Sequence, residues 1–258
     1  MPAFDSTIPF GEPELIRASS FRRFLPEAAN GRARGVLSDE LASLSPSLFA
    51  DLNRTGAGAD SSDTLDVLAA CVRHSQAVTV HLQFAERALP ISVFPQAQLV
   101  HCPLPTDSLY EVCDATRECT VIRVEPALIN PPADVASDPV LGTGSFARPS
   151  FRPLGALLWH LALHGGRAHL LPEIAGPAVY RVNHGLDLSG LRVPGTLLAA
   201  VYRLRRDTCA LREIAEWPGL GRERAERLLN ALYLQSGLIV SRSHPDVTRD
   251  TWFGALVR

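Results

Sequence analysis

Hydrophobic and polar positions change period several times along the chain, and each change marks an element. From Ser62 onward, Leu65, Leu68, Ala69 and Val72 recur at i, i+3, i+4 and i+7, the spacing of one helical face, with Ser62 or Asp63 placed to cap it. The period then drops to two. Val78, Val80, Leu82 and Phe84 alternate with Thr79, His81 and Gln83, which predicts a strand buried on one face. A second strand follows over Leu89, Ile91 and Val93, then a turn at Pro95-Gln96-Ala97 and a third strand from Gln98 to Cys102. Connections this short join antiparallel neighbours. Asp107 is placed to cap a helix bearing Leu109, Val112 and Cys113, and Thr120 to Glu125 reads as a fourth strand. The block 62–125 is therefore expected to be α+β, a small antiparallel sheet with helices.

The flanks are less regular. Pro13 is placed to open a short helix over Glu14 to Arg17. Another is expected after Ser45-Pro46, with Ser45 as N-cap, Pro46 in the first helical position and Leu48, Phe49 and Leu52 facing inward. Residues 55–61 have the composition of a loop. Between 126 and 153 six prolines (Pro126, Pro131, Pro132, Pro139, Pro149 and Pro153) oppose regular structure and predict a linker and a domain boundary. Beyond it Leu154, Leu157, Leu158 and Leu161 form a helical stripe that Gly165-Gly166 ends, and strand-like pieces follow around 168–171 and 178–182. The resulting division is 1–61, 62–125, 126–153, 154–195 and 196–258.

The last segment carries the most pattern. Thr196 is placed to cap a helix with Leu197, Val201 and Leu204 inward. Leu211, Ile214 and Ala215 mark a short helix stopped by Pro218-Gly219, and Leu220-Gly221 turns into a longer helix that buries Ala225, Leu228, Leu229 and Leu232. Gly237 is expected to end that helix as its C-terminal cap. Leu238-Ile239-Val240 then leaves as a strand, with a return strand expected at Thr251-Trp252-Phe253. Helix, tight turn, helix and hairpin is the plan of a winged helix-turn-helix. Ile214-Ala215, Leu220, Leu229, Leu232, Gly237, Leu238 and Ile239 resemble the pattern of winged-helix families, with Gly221 standing where many relatives have a capping Ser. Such modules bind DNA, RNA or protein, so the resemblance implies a fold rather than an activity.

The block upstream adds a second resemblance. Leu65-Asp66-Val67-Leu68-Ala69, Ala97-Gln98-Leu99-Val100-His101-Cys102, Ser108-Leu109-Tyr110-Glu111-Val112-Cys113 and Val121-Ile122-Arg123-Val124-Glu125 resemble, in order, the motifs of PATAN-type domains of bacterial signalling proteins. The chain departs from that family at Gln96-Ala97, where Asp-Gly is usual, and at His74-Ser75-Gln76, where Lys-Thr-Gly is usual. The resemblance implies a signalling adaptor with no catalytic residues to carry over.

Charge refines the reading of the long C-terminal helix. Its positions expected to be exposed are Arg222, Glu223, Arg224, Glu226, Arg227 and Asn230, and Arg222–Glu226 and Glu223–Arg227 stand four apart, so each Arg has a carboxylate neighbour. Phosphate affinity comes from uncompensated cations, so the implied partner is a protein, with duplex DNA as the alternative and a homodimer compatible with either. Arg222, Arg224, Arg227, Asn230 and Arg242 are the candidate contact residues. Arg203, Arg205, Arg206 and Arg249 would add positive potential around the wing.

Composition excludes little else. All 25 basic residues are Arg, and the net charge of −2 argues against coating nucleic acid along the whole length. No apolar run approaches a membrane span and no secretory leader is visible at the N-terminus, which points to the cytoplasm. The five cysteines form no C-x-x-C pair and are expected to be reduced and buried. His160 and His164 stand four apart on one helix, with His169 as a third imidazole, but Leu161 occupies the place of a metalloprotease glutamate. His101-Cys102 with Cys113 and Cys119 is better explained by core thiols. With no nucleophile motif or phosphate loop, the sequence predicts no active site, no metal and no cofactor.

Overall fold

The computed structural model describes residues 44–54, 64–84, 87–105, 110, 120–127, 129–132 and 151–242. They form an α+β structure with two antiparallel sheets. Helices α1 (Pro46–Arg54) and α2 (Thr64–Arg73) lead into strands β1 (Val78–Phe84), β2 (Arg87–Phe94), β3 (Leu99–His101) and β4 (Thr120–Pro126). Then come β5 (Phe151–Pro153), α3 (Leu154–His164), β6 (Val179–Val182), α4 (Gly195–Arg206), β7 (Cys209–Ala210), α5 (Leu211–Ala215), α6 (Gly221–Leu234) and β8 (Leu238–Ser241). No helix among the described residues is long and apolar enough to cross a membrane.

Local pattern explains most of these elements. Ser45 caps α1, its Oγ accepting from the Leu48 N–H at 3.3 Å, and Pro46 opens the helix where a missing N–H costs nothing. Leu48 and Leu52 are buried as expected, but Phe49 is 40% exposed and points away from the core. In β1 Val78, Val80 and Leu82 are buried and His81 and Gln83 half-buried on the opposite face, but Thr79 is buried as well, its Oγ1 2.8 Å from Ser92 Oγ. Its register pairs Val80 with Ile91 on β2 and with Val124 on β4. The sheet order is β4-β1-β2-β3-β5. Phe151–Pro153, expected inside the proline-rich linker, is thus a strand pairing with β3 at the sheet edge, where a proline can be accommodated without breaking a ladder on both sides.

Helix α3 explains how the two halves meet. Its sequence is apolar nearly all round, and Leu154, Leu157, Leu158, Trp159, Leu161 and Ala162 are all buried. One side packs on α2, β3 and β5 and another on α6, so a single cluster of buried residues runs from Leu44 to Leu234. Each fully buried Leu or Trp there contributes on the order of 1.5–3 kcal/mol. Helix α6 runs antiparallel to α3: Gln235, beyond the end of α6, donates to Gly155 O at 2.8 Å, while Arg227, midway along α6, reaches Gly165 O past the end of α3.

Three expectations change in the C-terminal block. Residues 168–171 are irregular rather than a strand. Helix α4 follows Pro194 without a side-chain cap, and Thr196 lies inside its first turn. The left-handed residue after α6 is Ser236, at φ +54°, not Gly237. Ser236 N–H bonds to Tyr233 O at 2.9 Å and Gly237 N–H to Leu232 O at 3.0 Å, the paired closure of a Schellman cap shifted by one residue from its usual glycine. Gly237 instead makes room for a neighbour, since a Cβ there would stand 2.5 Å from Leu186 Cδ2. Strand β6, which precedes α4, pairs with both β7 and β8 and lies between them. The expected return at 251–253, the helix expected at 14–17, the caps at Ser62 and Asp63, and the helix after Asp107 apart from Tyr110 lie outside the described residues.

Candidate interaction surface

The candidate contact residues lie on and around α6, beginning with the turn that aims the helix. Glu213 Oε2 accepts from the Ala210 N–H at 2.9 Å and holds the start of α5. Trp217, nearly buried, closes the turn by accepting from the Leu220 N–H at 3.1 Å, and Gly219 and Gly221 both take positive φ, +76° and +66°. A serine at 221 would meet left-handed strain there, which accounts for glycine at this turn. The Arg203 guanidinium lies 4.4 Å from the Trp217 ring centroid. Arg224 donates to Gly219 O at 2.6 Å and to Thr196 Oγ1 at 3.3 Å, tying the turn to the start of α4.

Both charge pairs expected along α6 are present. Arg222 Nε lies 2.9 Å from Glu226 Oε1, and Arg227 Nε 3.0 Å from Glu223 Oε1. Their exposure differs from expectation. Arg222, Glu223 and Arg224 are exposed, but Glu226, Arg227 and Asn230 are 4%, 7% and 0% exposed. The cover is the irregular segment 165–171. Arg227 Nη1 donates to Gly165 O at 2.7 Å and Leu163 O at 3.3 Å, placing its charge on the carbonyl end of α3. Asn230 accepts from the Leu171 N–H at 2.8 Å and donates to His169 O at 2.9 Å. A buried backbone outside helix and sheet needs partners for its polar groups, and α6 supplies them. Arg227 and Asn230 therefore hold this chain together rather than face a partner. Arg242 is exposed, but its guanidinium donates to Ala175 O at 3.0 Å and Glu173 O at 2.8 Å.

The segment 165–176 is gripped from the N-terminal half as well, which the sequence pattern did not signal. Arg73 on α2 pairs with Asp51 on α1 and with Glu173, and Arg167 pairs with Asp66 on α2. His74 Nε2 lies 2.7 Å from Asp51 Oδ2, and that bond is the first cause holding the Asp51 carboxyl below its ordinary range. On the sheet, Glu125 lies 2.7 Å from His81 Nε2 and 2.9 Å from Arg123 Nη2, and is held low chiefly by the His81 bond.

The chemistry sought at histidine and cysteine takes a different form. His160 and His164 stack, with ring centroids 4.8 Å apart and 36° between planes, and Tyr110 lies 4.4 Å beyond His160. His169 stands apart, its side chain 87% exposed and its Nδ1 3.4 Å from Glu226. Among the described residues no three of His, Cys, Asp or Glu are grouped to hold a metal ion. Cys71, Cys102 and Cys209 are free and buried, and burial pushes the Cys71 thiol up to about 12. His101 lies 4.9 Å from Phe151, ring to ring, and burial lowers its pKa.

Of the five candidates, the structure leaves Arg222 free of backbone duties and commits Arg224, Arg227, Asn230 and Arg242 to carbonyls or amides of this chain. Comparison of the chain with protein-family models, curated proteins and solved structures returns no match.

Proposed function

We propose that this chain is a non-enzymatic bacterial regulatory adaptor that acts through protein contacts of its PATAN-like and winged-helix-like blocks. The observation that carries the reading is the burial of Glu226, Arg227 and Asn230. A helix that reads DNA lays one polar face in the major groove, and here that face is covered by residues 165–171. From Ala225 to Leu232 every position of α6 is buried, so entering a groove would require the segment to peel away and leave its amides and carbonyls unpaired. The two half-buried charge pairs on α6 also neutralise the cations that would displace counterions.

The competing reading is a transcription regulator. It is favoured by the first turn of α6, where Arg222 and Arg224 are exposed at the helix end that meets base edges in helix-turn-helix proteins. Fluorescence anisotropy of the purified chain with genomic duplex fragments separates the two. The adaptor reading expects only weak binding, without sequence preference, that vanishes at physiological salt. Sequence-specific binding that survives there and is lost in Arg222→Ala/Arg224→Ala would replace it with the DNA reading.

A further inference from the structure

Between the loop after β6 and the outer side of α4 lies a cleft of about 460 Å³, within the roughly 300–1,000 Å³ span of ligand sites. Its loop wall is firmly built. Asn183 N–H donates to Gly237 O at 2.8 Å, and Asn183 Oδ1 accepts from the Gly185 N–H at 3.0 Å. Asp187 accepts from the Ser189 N–H at 2.8 Å and hydroxyl at 2.7 Å. Leu186 seats over Gly237 in space that only a missing Cβ provides. The helix wall is Leu198, Val201, Tyr202 and Arg205, a single stripe of α4 at i, i+3, i+4 and i+7.

Two side chains of that stripe point to a ligand. Tyr202 is 56% exposed, the largest exposure among the described large hydrophobic residues, and the Arg205 guanidinium lies 5.5 Å from its ring centroid. Arg205 is oriented by one bond, Nη2 to Leu186 O at 2.6 Å, while its Nε is shut off from solvent and has no acceptor. The part of the guanidinium that lines the cleft is a charged donor, and a carboxylate is the strongest acceptor available to it. Asp187 on the facing wall is already engaged by Ser189, which leaves Arg205 the cation of the lining. His184, Asp187 and Ser189 on the rim are exposed, so the cleft opens along the surface instead of enclosing a small molecule.

We propose that this cleft is a docking site for a short acidic peptide segment of a partner protein. An aromatic or aliphatic side chain of the segment lies on Tyr202 beside Leu186 and Leu198, and a neighbouring Asp or Glu carboxylate accepts from Arg205. The proposal rests on the protein-contact reading above and gives that partner a chemistry.

The test is selection of a random heptapeptide phage library on the immobilised full chain, with counter-selection on Tyr202→Ala. Recovered sequences are expected to place Asp or Glu next to Phe, Tyr, Trp or Leu. Synthetic versions should bind the wild-type chain about tenfold or more tighter than Tyr202→Ala or Arg205→Gln, and their Asn or Gln counterparts should lose a similar factor. Arg205 also holds the loop, so if Arg205→Gln melts early, Tyr202→Ala at its exposed position decides the outcome alone. No enrichment, enrichment of basic or uncharged sequences, or binding indifferent to Tyr202→Ala overturns the proposal. So does tight binding of 3-phenylpropionate at Tyr202, followed by NMR, without peptide enrichment, which would assign the cleft to small carboxylic acids. Failure here without specific DNA binding leaves the adaptor reading in place; specific DNA binding removes that reading whatever peptides are recovered.

Discussion

Replacing Asn230 with alanine deletes a fully buried side chain whose amide is in use at both ends. The two losses are unequal. His169 O keeps a second donor, Arg167 Nε at 3.0 Å, whereas the Leu171 N–H loses the acceptor that Asn230 provides. One orphaned buried amide costs about 1–3 kcal/mol, and the void adds about 1 kcal/mol. The total, about 2–4 kcal/mol, is a large share of a typical stability of about 5–15 kcal/mol. Asn230→Asp sharpens the test because it is nearly isosteric. Protonated, the new carboxyl can donate to His169 O and still accept from Leu171; ionised, it sets a buried charge against that carbonyl. Burial raises the folded-state pKa above the unfolded value of about 3.9, and a rise of about three units corresponds to about 4 kcal/mol. The penalty is therefore small below the unfolded pKa and grows as pH rises toward the folded one. Urea titration followed by Trp159 and Trp217 fluorescence, at about pH 4.5 and about pH 8, measures both effects. An alanine variant that loses less than about 0.5 kcal/mol, or an aspartate variant whose deficit is the same at both pH values, would refute the assignment of Asn230 as the clasp of residues 169–171.

Further outcomes follow from the same contacts. Arg227→Met keeps the bulk of the stem but leaves Leu163 O and Gly165 O without their guanidinium; a loss of about 1–3 kcal/mol is expected, with amide exchange accelerating first around 163–171. Glu125 is held low mainly by His81, so its contribution is complete above the unfolded value of 4.5 and is lost as pH falls through the lower folded pKa; Glu125→Gln should flatten the acid limb of the urea midpoint against pH. Gly237→Ala would drive a Cβ to within 2.9 Å of Leu186 Cγ and closer still to both methyls, and the strain, about 1–3 kcal/mol, should appear in thermal melts together with weaker peptide binding at the cleft. Cys71, buried with its thiol pushed up to about 12, should resist a thiol reagent in the native state and react at the rate of unfolding.

The path from pattern to site broke at identifiable residues. The polar positions Glu223, Glu226, Arg227 and Asn230 follow helical spacing, and such a stripe on an amphipathic helix ordinarily faces water. Here Glu223 does so, but Glu226, Arg227 and Asn230 face residues 165–171, a segment whose glycines and short apolar run read as a strand-like connection. Nothing local to α6 marks that meeting, because a side chain satisfying a distant carbonyl has the same sequence as one bonding to water. The cleft was equally hidden. Its loop could be read from Asn183-His184-Gly185 and Asp187-Leu188-Ser189 as turns, but Tyr202 and Arg205 share a cleft with that loop, whose Leu186 is seated against Gly237, fifty-one positions away in the chain.

The sequence by itself determined the elements and their inner faces: the alternation in β1, the leucine stripe of α3, the cap at Ser45 and the charge pairs four apart on α6. These depend on period and on neighbours within one turn, which the chain writes locally. Tertiary structure alone decided that Phe151–Pro153 completes the larger sheet, that β6 fills the place between β7 and β8, and that the polar face of α6 is an internal clasp. Those outcomes depend on which distant segment arrives with unpaired backbone groups or a complementary apolar surface. For that reason Glu226, Arg227 and Asn230, read from their own helix as exposed, are internal supports in the folded chain.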